Sequence, residues 1–270
     1  MSVRNAAAGL GRPVRTAVRS ARLLAAVVRA AGEIATGCRD SREINHAGAR
    51  RALRAMGVQL QVCGDVPPDG LIVCNHLSYL DILVISAAAP AVFVSKSEVR
   101  SWPILGWIAR RTGTIFVERG HSCGAGRTVE EIEGALRAGR RVVLFPEGTS
   151  SGGETVLPFK SSLLEPGRQG PISAAALAYS LEPGDGDPAE VVCYWKDMTL
   201  LPHLIRLLGR RSIRATLVFA RLDGSDADRK SLARRLHSLV LTLKQTVDCN
   251  QQQAGRGVAP GHGRSRGKAQ

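Results

Sequence analysis

Leu71-Ile72-Val73-Cys74-Asn75-His76-Leu77-Ser78-Tyr79-Leu80-Asp81 is the stretch on which the fold turns. Its apolar run reads as a buried strand, and Ile82-Leu83-Val84-Ile85 beyond it reads as the body of a helix. Between them stand a histidine and a carboxylate five residues apart. An imidazole works as a base on one nitrogen when a partner holds the other, and a carboxylate can hold the tautomer and steady the imidazolium. Within one helix, residues five apart point roughly 140° away from each other. The pair can meet only if His76 lies in the strand-to-helix loop and Asp81 in the first helical turn. Ser78-x-x-Asp81 before the apolar run is a capping-box variant that supports this layout. Taken alone, the same spacing also fits a loop histidine and a capping carboxylate.

Outward from this stretch, short β-branched runs alternate with helical ones from about residue 54 to 247, the pattern of an α/β sheet. Strands are expected at Val58–Val62, Leu71–Cys74, Ala91–Ser95, Gly113–Val117, Arg141–Phe145, Ile172–Tyr179, Val191–Trp195 and Ile213–Leu222. Thr128-Val129-Glu130-Glu131 reads as a capping box opening a helix that Gly139 stops. A final helix over about residues 226–247 carries Leu232, Leu236, Leu239, Val240 and Leu243 on one stripe.

The 270 residues suit one sizeable domain with additions at its ends. Lys and Arg number 37 against 23 Asp and Glu, a net charge of +14, which points to an anionic partner surface. Aromatics are 4% of the chain and no basic run interleaves with them, so base stacking has little to work with and nucleic acid is disfavoured. Lipid or phosphate fits better. The six cysteines show no C-x-x-C and no metal-ligand spacing, so no metal site is expected and a reducing environment fits. No apolar run reaches the ~18 residues of a membrane span.

Residues 1–44 mix Val14, Val18, Leu23, Leu24, Val27, Val28 and Ile34 with Arg12, Arg15, Arg19, Arg22 and Arg29. They read as an amphipathic cationic helical segment, lying either on an anionic membrane with its arginines reaching to headgroups or packed on the main domain. A transit peptide is a third option. Residues 45–249 form the main domain. Residues 250–270 are a basic Gln/Gly/Arg tail expected to be disordered.

Three further blocks stand at strand ends, where open α/β sheets collect their ligands. Gly113-Thr114-Ile115-Phe116-Val117-Glu118-Arg119 ends in a guanidinium able to fork onto a phosphate. Phe145-Pro146-Glu147-Gly148-Thr149-Ser150-Ser151 joins a carboxylate to a donor-rich turn, and Val156-Leu157-Pro158-Phe159-Lys160 returns a lysine towards the same rim.

With these blocks in order, the sequence resembles the glycerolipid acyltransferases, in particular lysophosphatidic acid (1-acylglycerol-3-phosphate) acyltransferases. The resemblance covers about residues 55–222. It rests on Asn75-His76-x-x-x-x-Asp81, Gly113-x-x-Phe116-x-x-Arg119, Phe145-Pro146-Glu147-Gly148-Thr149 and Pro171-Ile172. It implies a mixed, largely parallel sheet flanked by helices and acyl transfer from acyl-CoA or acyl-carrier protein as co-substrate, with no cofactor. It also implies a lysophospholipid acceptor and a place on the cytoplasmic face of the cell membrane, peripheral or monotopic. By the same resemblance His76 is the base, Asp81 its orienter, and Arg119, Glu147, Gly148 and Thr149 line the acceptor-phosphate site, with Lys160 as a further cation. Many members carry arginine after the Glu-Gly-Thr step, where this chain has Ser150.

The expected reaction is therefore esterification of 1-acylglycerol-3-phosphate to phosphatidic acid, with another lyso-lipid, such as lyso-ornithine lipid, as the alternative acceptor. Amides at the start of the helix after His76 are candidate donors to the oxyanion. Two other classes compete. Gly148-Thr149-Ser150-Ser151-Gly152 satisfies G-x-S-x-G, yet Pro146 before it and Pro158 after it do not suit a nucleophile elbow. A non-catalytic basic membrane-binding protein would need only the charge.

Overall fold

The computed structural model describes residues 11–37, 40–102, 104–117, 122–223 and 228–256. Arg119, His121 and residues 257–270 lie outside the described residues. The strands are β1 (Val58–Cys63), β2 (Gly70–Cys74), β3 (Val92–Lys96), β4 (Ile115–Val117), β5 (Arg141–Leu144), β6 (Ile172–Leu181) and β7 (Ile213–Arg221). The helices are α1 (Arg12–Thr36), α2 (Ser41–Met56), α3 (Leu80–Ala88), α4 (Leu105–Arg111), α5 (Ser122–Arg137), α6 (Pro188–Val191), α7 (Leu200–Leu208) and α8 (Arg229–Arg256).

Among the described residues the strands form one sheet in the order β1-β7-β6-β2-β5-β3-β4. Every neighbouring pair is parallel except β6 with β7. Helices cover both faces, which is why β2 is apolar throughout and wholly buried. Alternation then sorts its side chains. Ile72 and Cys74 join Leu80, Val84, Leu177 and Leu207 in one core, whereas Leu71 and Val73 join Ile132, Leu232, Leu236 and Val240 in the other. The backbone permits β2 to enter the sheet only at a glycine. Gly70 has φ +90°, and a Cβ there would lie 2.3 Å from the Pro171 carbonyl oxygen.

Several local expectations are corrected. Val191–Trp195 is not a strand: Asp187 caps Ala189 N–H ahead of Pro188, a short helix forms, and the chain then crosses the rim of the sheet as a loop. Helix α5 starts at Ser122, so Thr128 is a buried mid-helix residue rather than a cap. Helix α8 is capped by Asp228, which accepts from Lys230 and Ser231 N–H. It continues to Arg256, so the first residues assigned to the tail are helical. The boundary after residue 44 falls inside α2, whose Ala49, Leu53 and Met56 belong to the core.

Helix α1 turns two of its arginines inward, against the expectation that they reach outward, while Arg12, Arg22 and Arg29 stay exposed. Arg15 and Arg19 are buried. Arg15 Nη1 donates to Gly209 O at 2.9 Å; Arg19 donates to Leu208 O, Arg210 O and Arg211 O. These carbonyls lie at the end of α7, where a helix leaves acceptors unsatisfied and its dipole favours cations. Val14, Leu24 and Val28 consequently face outward, each more than half exposed, as is Leu201 of α7. No helix among the described residues is long and apolar enough to cross a membrane.

Candidate active site

The site is built at the carboxyl end of β2 and its parallel neighbours. Asn75 follows the last residue of β2 and is fully buried. Its side-chain amide donates to Leu177 O (3.0 Å) and its oxygen accepts from Leu177 N–H (2.7 Å), so one side chain supplies the next rung of the β2–β6 ladder. The loop that follows is thereby fixed to the sheet.

Asp81 sits in the first turn of α3 and His76 in the loop before it, as the spacing requires. His76 Nδ1 is 2.8 Å from Asp81 Oδ2. Bonded to a carboxylate, Nδ1 carries the proton and Nε2 keeps the lone pair. The imidazole stacks on Phe145 at a centroid distance of 4.3 Å and remains 22% exposed, whereas Asp81 is fully buried. The half-open ring can therefore meet a substrate while its partner stays away from water.

Asp81 is saturated with donors. Oδ2 also accepts from Leu77 N–H (2.6 Å) and Ser78 N–H (3.0 Å), and Oδ1 accepts from Tyr179 OH (2.7 Å). This is the acidic limb of a capping box. The serine limb is absent, because Ser78 Oγ is buried without a partner among the described residues. The amides of Leu77 and Ser78 are consumed by Asp81, and that of His76 by Glu147. These three amides are thus committed within the protein rather than offered to an oxyanion.

Glu147 is also not where a phosphate ligand should be. It is buried to 3% exposure, with Oε1 accepting from His76 N–H (2.7 Å) and Oε2 from Leu157 N–H (2.9 Å). Burial pushes its carboxyl up to about 7, against those two donors and the nearby imidazole. It ties the turn after β5 to the histidine loop. Gly148 takes φ +70° and its N–H returns to Phe145 O, which closes a tight turn. Beyond it Thr149 is exposed, Ser150 Oγ donates to the carbonyl of Tyr194, and Ser151 N–H donates to His76 O (3.0 Å). Lys160 N–H bonds Pro146 O at 2.9 Å, which brings an exposed lysine back to this turn. Arg119 lies outside the described residues.

Sequence reasoning missed two groups. Tyr179 lies 98 positions from Asp81 in an apolar strand, where it reads as core. The segment Cys193-Tyr194-Trp195-Lys196 walls the site: Tyr194 N–H donates to Leu77 O (2.8 Å) and Trp195 packs against Gly152. Lys196 has φ +55°, uncommon for a residue with a Cβ, and its ammonium lies 3.8 Å from the Trp195 ring centroid. Neither this backbone conformation nor the ring contact is legible in the sequence. Behind Tyr194, His203 is a buried packing residue between Tyr79 OH and Cys193 O, both at 3.0 Å. No His/Cys/Asp/Glu cluster with metal-binding geometry occurs among the described residues.

Comparisons with known proteins agree with this arrangement. A family model described as Acyltransferase matches residues 60–180. The lyso-ornithine lipid O-acyltransferase of Pseudomonas aeruginosa is 34% identical over 193 residues, covering 70% of this chain and 74% of that protein. The lyso-ornithine lipid O-acyltransferase of Rhizobium meliloti is 35% identical, covering 68% and 69%. The 1-acyl-sn-glycerol-3-phosphate acyltransferase of Neisseria meningitidis serogroup B is 33% identical, covering 63% and 72%. In fold, the chain matches the crystal structure of the 1-acyl-sn-glycerophosphate acyltransferase PlsC from Thermotoga maritima, with TM-score 0.64 at 17% identity over 88% of this chain and 96% of that one. With a His–Asp pair set at the end of a buried parallel strand and relatives that align over most of their length, the chain belongs to the acyltransferase family and is an O-acyltransferase acting on lyso-lipid-type acceptors.

Proposed function

We propose that His76 is the general base of this transfer. Nε2 takes the proton of the acceptor hydroxyl as its oxygen attacks the thioester carbonyl of acyl-CoA or acyl-carrier protein. The tetrahedral intermediate collapses with loss of the thiolate, which receives that proton from the imidazolium. The observation that carries this reading is the 2.8 Å bond from His76 Nδ1 to a fully buried Asp81, on a ring whose other edge is open. General-base help of this kind is worth about 10²–10⁴-fold.

For the acceptor, lyso-ornithine lipid stands ahead of lysophosphatidate. A lyso-ornithine lipid offers a carboxylate and an ammonium in place of a phosphomonoester, so it asks for fewer cations. Ser150 provides none and is spent on the Tyr194 carbonyl, while Glu147 is turned away into the protein. Two relatives that align over most of their length bear the lyso-ornithine lipid name, which supports the same choice. Lysophosphatidate is the second reading, favoured by exposed Lys160 at the turn and by the Neisseria relative.

The reaction takes place, on this proposal, at an anionic membrane surface on the cytoplasmic side. The outward apolar stripe Val14, Leu24 and Val28 enters the lipid boundary, and the net charge of +14 strengthens the attraction. Labelled acyl-CoA with a panel of lyso-lipids tests the assignment. Turnover on lyso-ornithine lipid above that on lysophosphatidate is expected, and His76→Ala abolishes both, whereas Ser150→Ala retains most activity. The reverse acceptor order returns the assignment to lysophosphatidate; survival of transfer in His76→Ala removes the base.

A further inference from the structure

We propose that Tyr179 is a positioning residue of this reaction, its hydroxyl pinning Asp81 so that the carboxylate presents Oδ2 to His76 and holds the imidazolium with limited strength. The inference rests on the general-base role of His76. Strand β6 runs past the end of β2, so its last buried residue rises beside the first turn of α3. There Tyr179 OH donates to Asp81 Oδ1 at 2.7 Å.

The two oxygens of Asp81 are loaded unequally. Oδ2 accepts three bonds, from His76 Nδ1, Leu77 N–H and Ser78 N–H. Among the described residues Tyr179 supplies the bond to Oδ1. Without it, a fully buried carboxylate would keep an oxygen bare of donors, a costly state that rotation of the carboxylate or tighter pairing with the imidazolium would relieve. Either response alters the base.

The other groups that face the pair do not offer a substitute. Cys74 at the end of β2 and Cys193 in the loop after α6 are thiols held neutral by burial, the latter pushed up to about 12, and their weak S–H donors point elsewhere, to Asn75 Oδ1 and Gly152 O. Glu147 in the turn after β5 is an acceptor already bound to two amides. Lys244 of α8 acts on Cys193 and is itself paired with Asp248. Burial and the neighbouring Asp81 raise the Tyr179 phenol well above its ordinary value, so it remains a donor throughout the working range.

Tyr179→Phe keeps the ring and removes the hydroxyl. The expected result is a fall in kcat of about tenfold, the scale of one hydrogen bond to a buried charge. KM for acyl-CoA and for the lyso-lipid stays unchanged. The acid limb of the kcat profile moves to higher pH by up to about one unit, because a carboxylate short of a donor grips the imidazolium harder. In the Asp81→Asn background, which has no charge to position, the same substitution should change kcat less than about twofold.

An equal loss in both backgrounds overturns the proposal, as does a lowered unfolding temperature with kcat and acid limb unmoved. If Tyr179→Phe alone folds poorly, the position of its acid limb still decides, because unfolded protein lowers the apparent kcat without moving the limb. If His76→Ala retains transfer, the base reading itself falls. If His76→Ala is inactive while Tyr179→Phe has wild-type kcat and limb, only the role of Tyr179 falls.

Discussion

Glu147→Gln keeps the size of a side chain whose two oxygens each accept a backbone N–H, from His76 and from Leu157, and replaces one oxygen by a donor. One of those amides then faces an NH2 group. A buried donor left without its acceptor costs about 1–3 kcal/mol. Wild-type stability should also carry a pH dependence from this residue. Unfolded, the carboxyl ionises around its ordinary 4.5; folded, burial holds the proton to about 7. Across that window the folded chain holds the extra proton, so the stability contributed by this residue is greatest below 4.5 and falls as pH rises through 7. At about 1.4 kcal/mol per unit, the shift contributes a decline of about 3 kcal/mol. Glutamine has no proton to lose, so the variant lacks this decline. Denaturant unfolding at pH 5, 6, 7 and 8 should show the variant clearly weaker at pH 5, with the gap closing or reversing by pH 8. Kinetics supply the second half of the test. A clamp on the histidine loop predicts a lower kcat with an unchanged acceptor KM; a phosphate ligand predicts the opposite. Parallel stability curves, together with a raised acceptor KM at wild-type kcat, would refute the clamp.

Three further outcomes are expected. Arg19→Met strips donors from Leu208, Arg210 and Arg211 carbonyls at the end of α7 and should cost about 2–4 kcal/mol, read as an earlier thermal transition; an unchanged transition would mean the carbonyls are solvated instead. Gly70→Ala forces a Cβ against Pro171 O at a positive φ and should lower stability by about 2 kcal/mol or more, with soluble yield and unfolding midpoint as the readouts. Leu24→Asp with Val28→Asp should reduce flotation with anionic vesicles while leaving the unfolding temperature within about 2 °C, since both side chains face outward; equal flotation removes the stripe from the membrane surface.

What the sequence by itself determined is local. Periodicity located β2, β5 and β6 within a residue or two, and the strand-loop-helix break placed His76 and Asp81 where they could meet, because that geometry depends on a few neighbouring dihedrals. Segments governed by capping were less legible: Asp187-Pro188 outweighed the β-branched run that followed, and α5 began six residues before its apparent capping box. Only the tertiary structure decided which polar groups serve the site and which serve the frame. Glu147 looked like a ligand and is a clamp, Arg15 and Arg19 looked like headgroup contacts and cap a helix, and Tyr179 looked like core and holds Asp81. In each case a deciding partner lies about 70 to 200 positions away in the chain. The physical reason is desolvation. A polar group's role is set by whether its surroundings exclude water and supply a partner, and packing determines both.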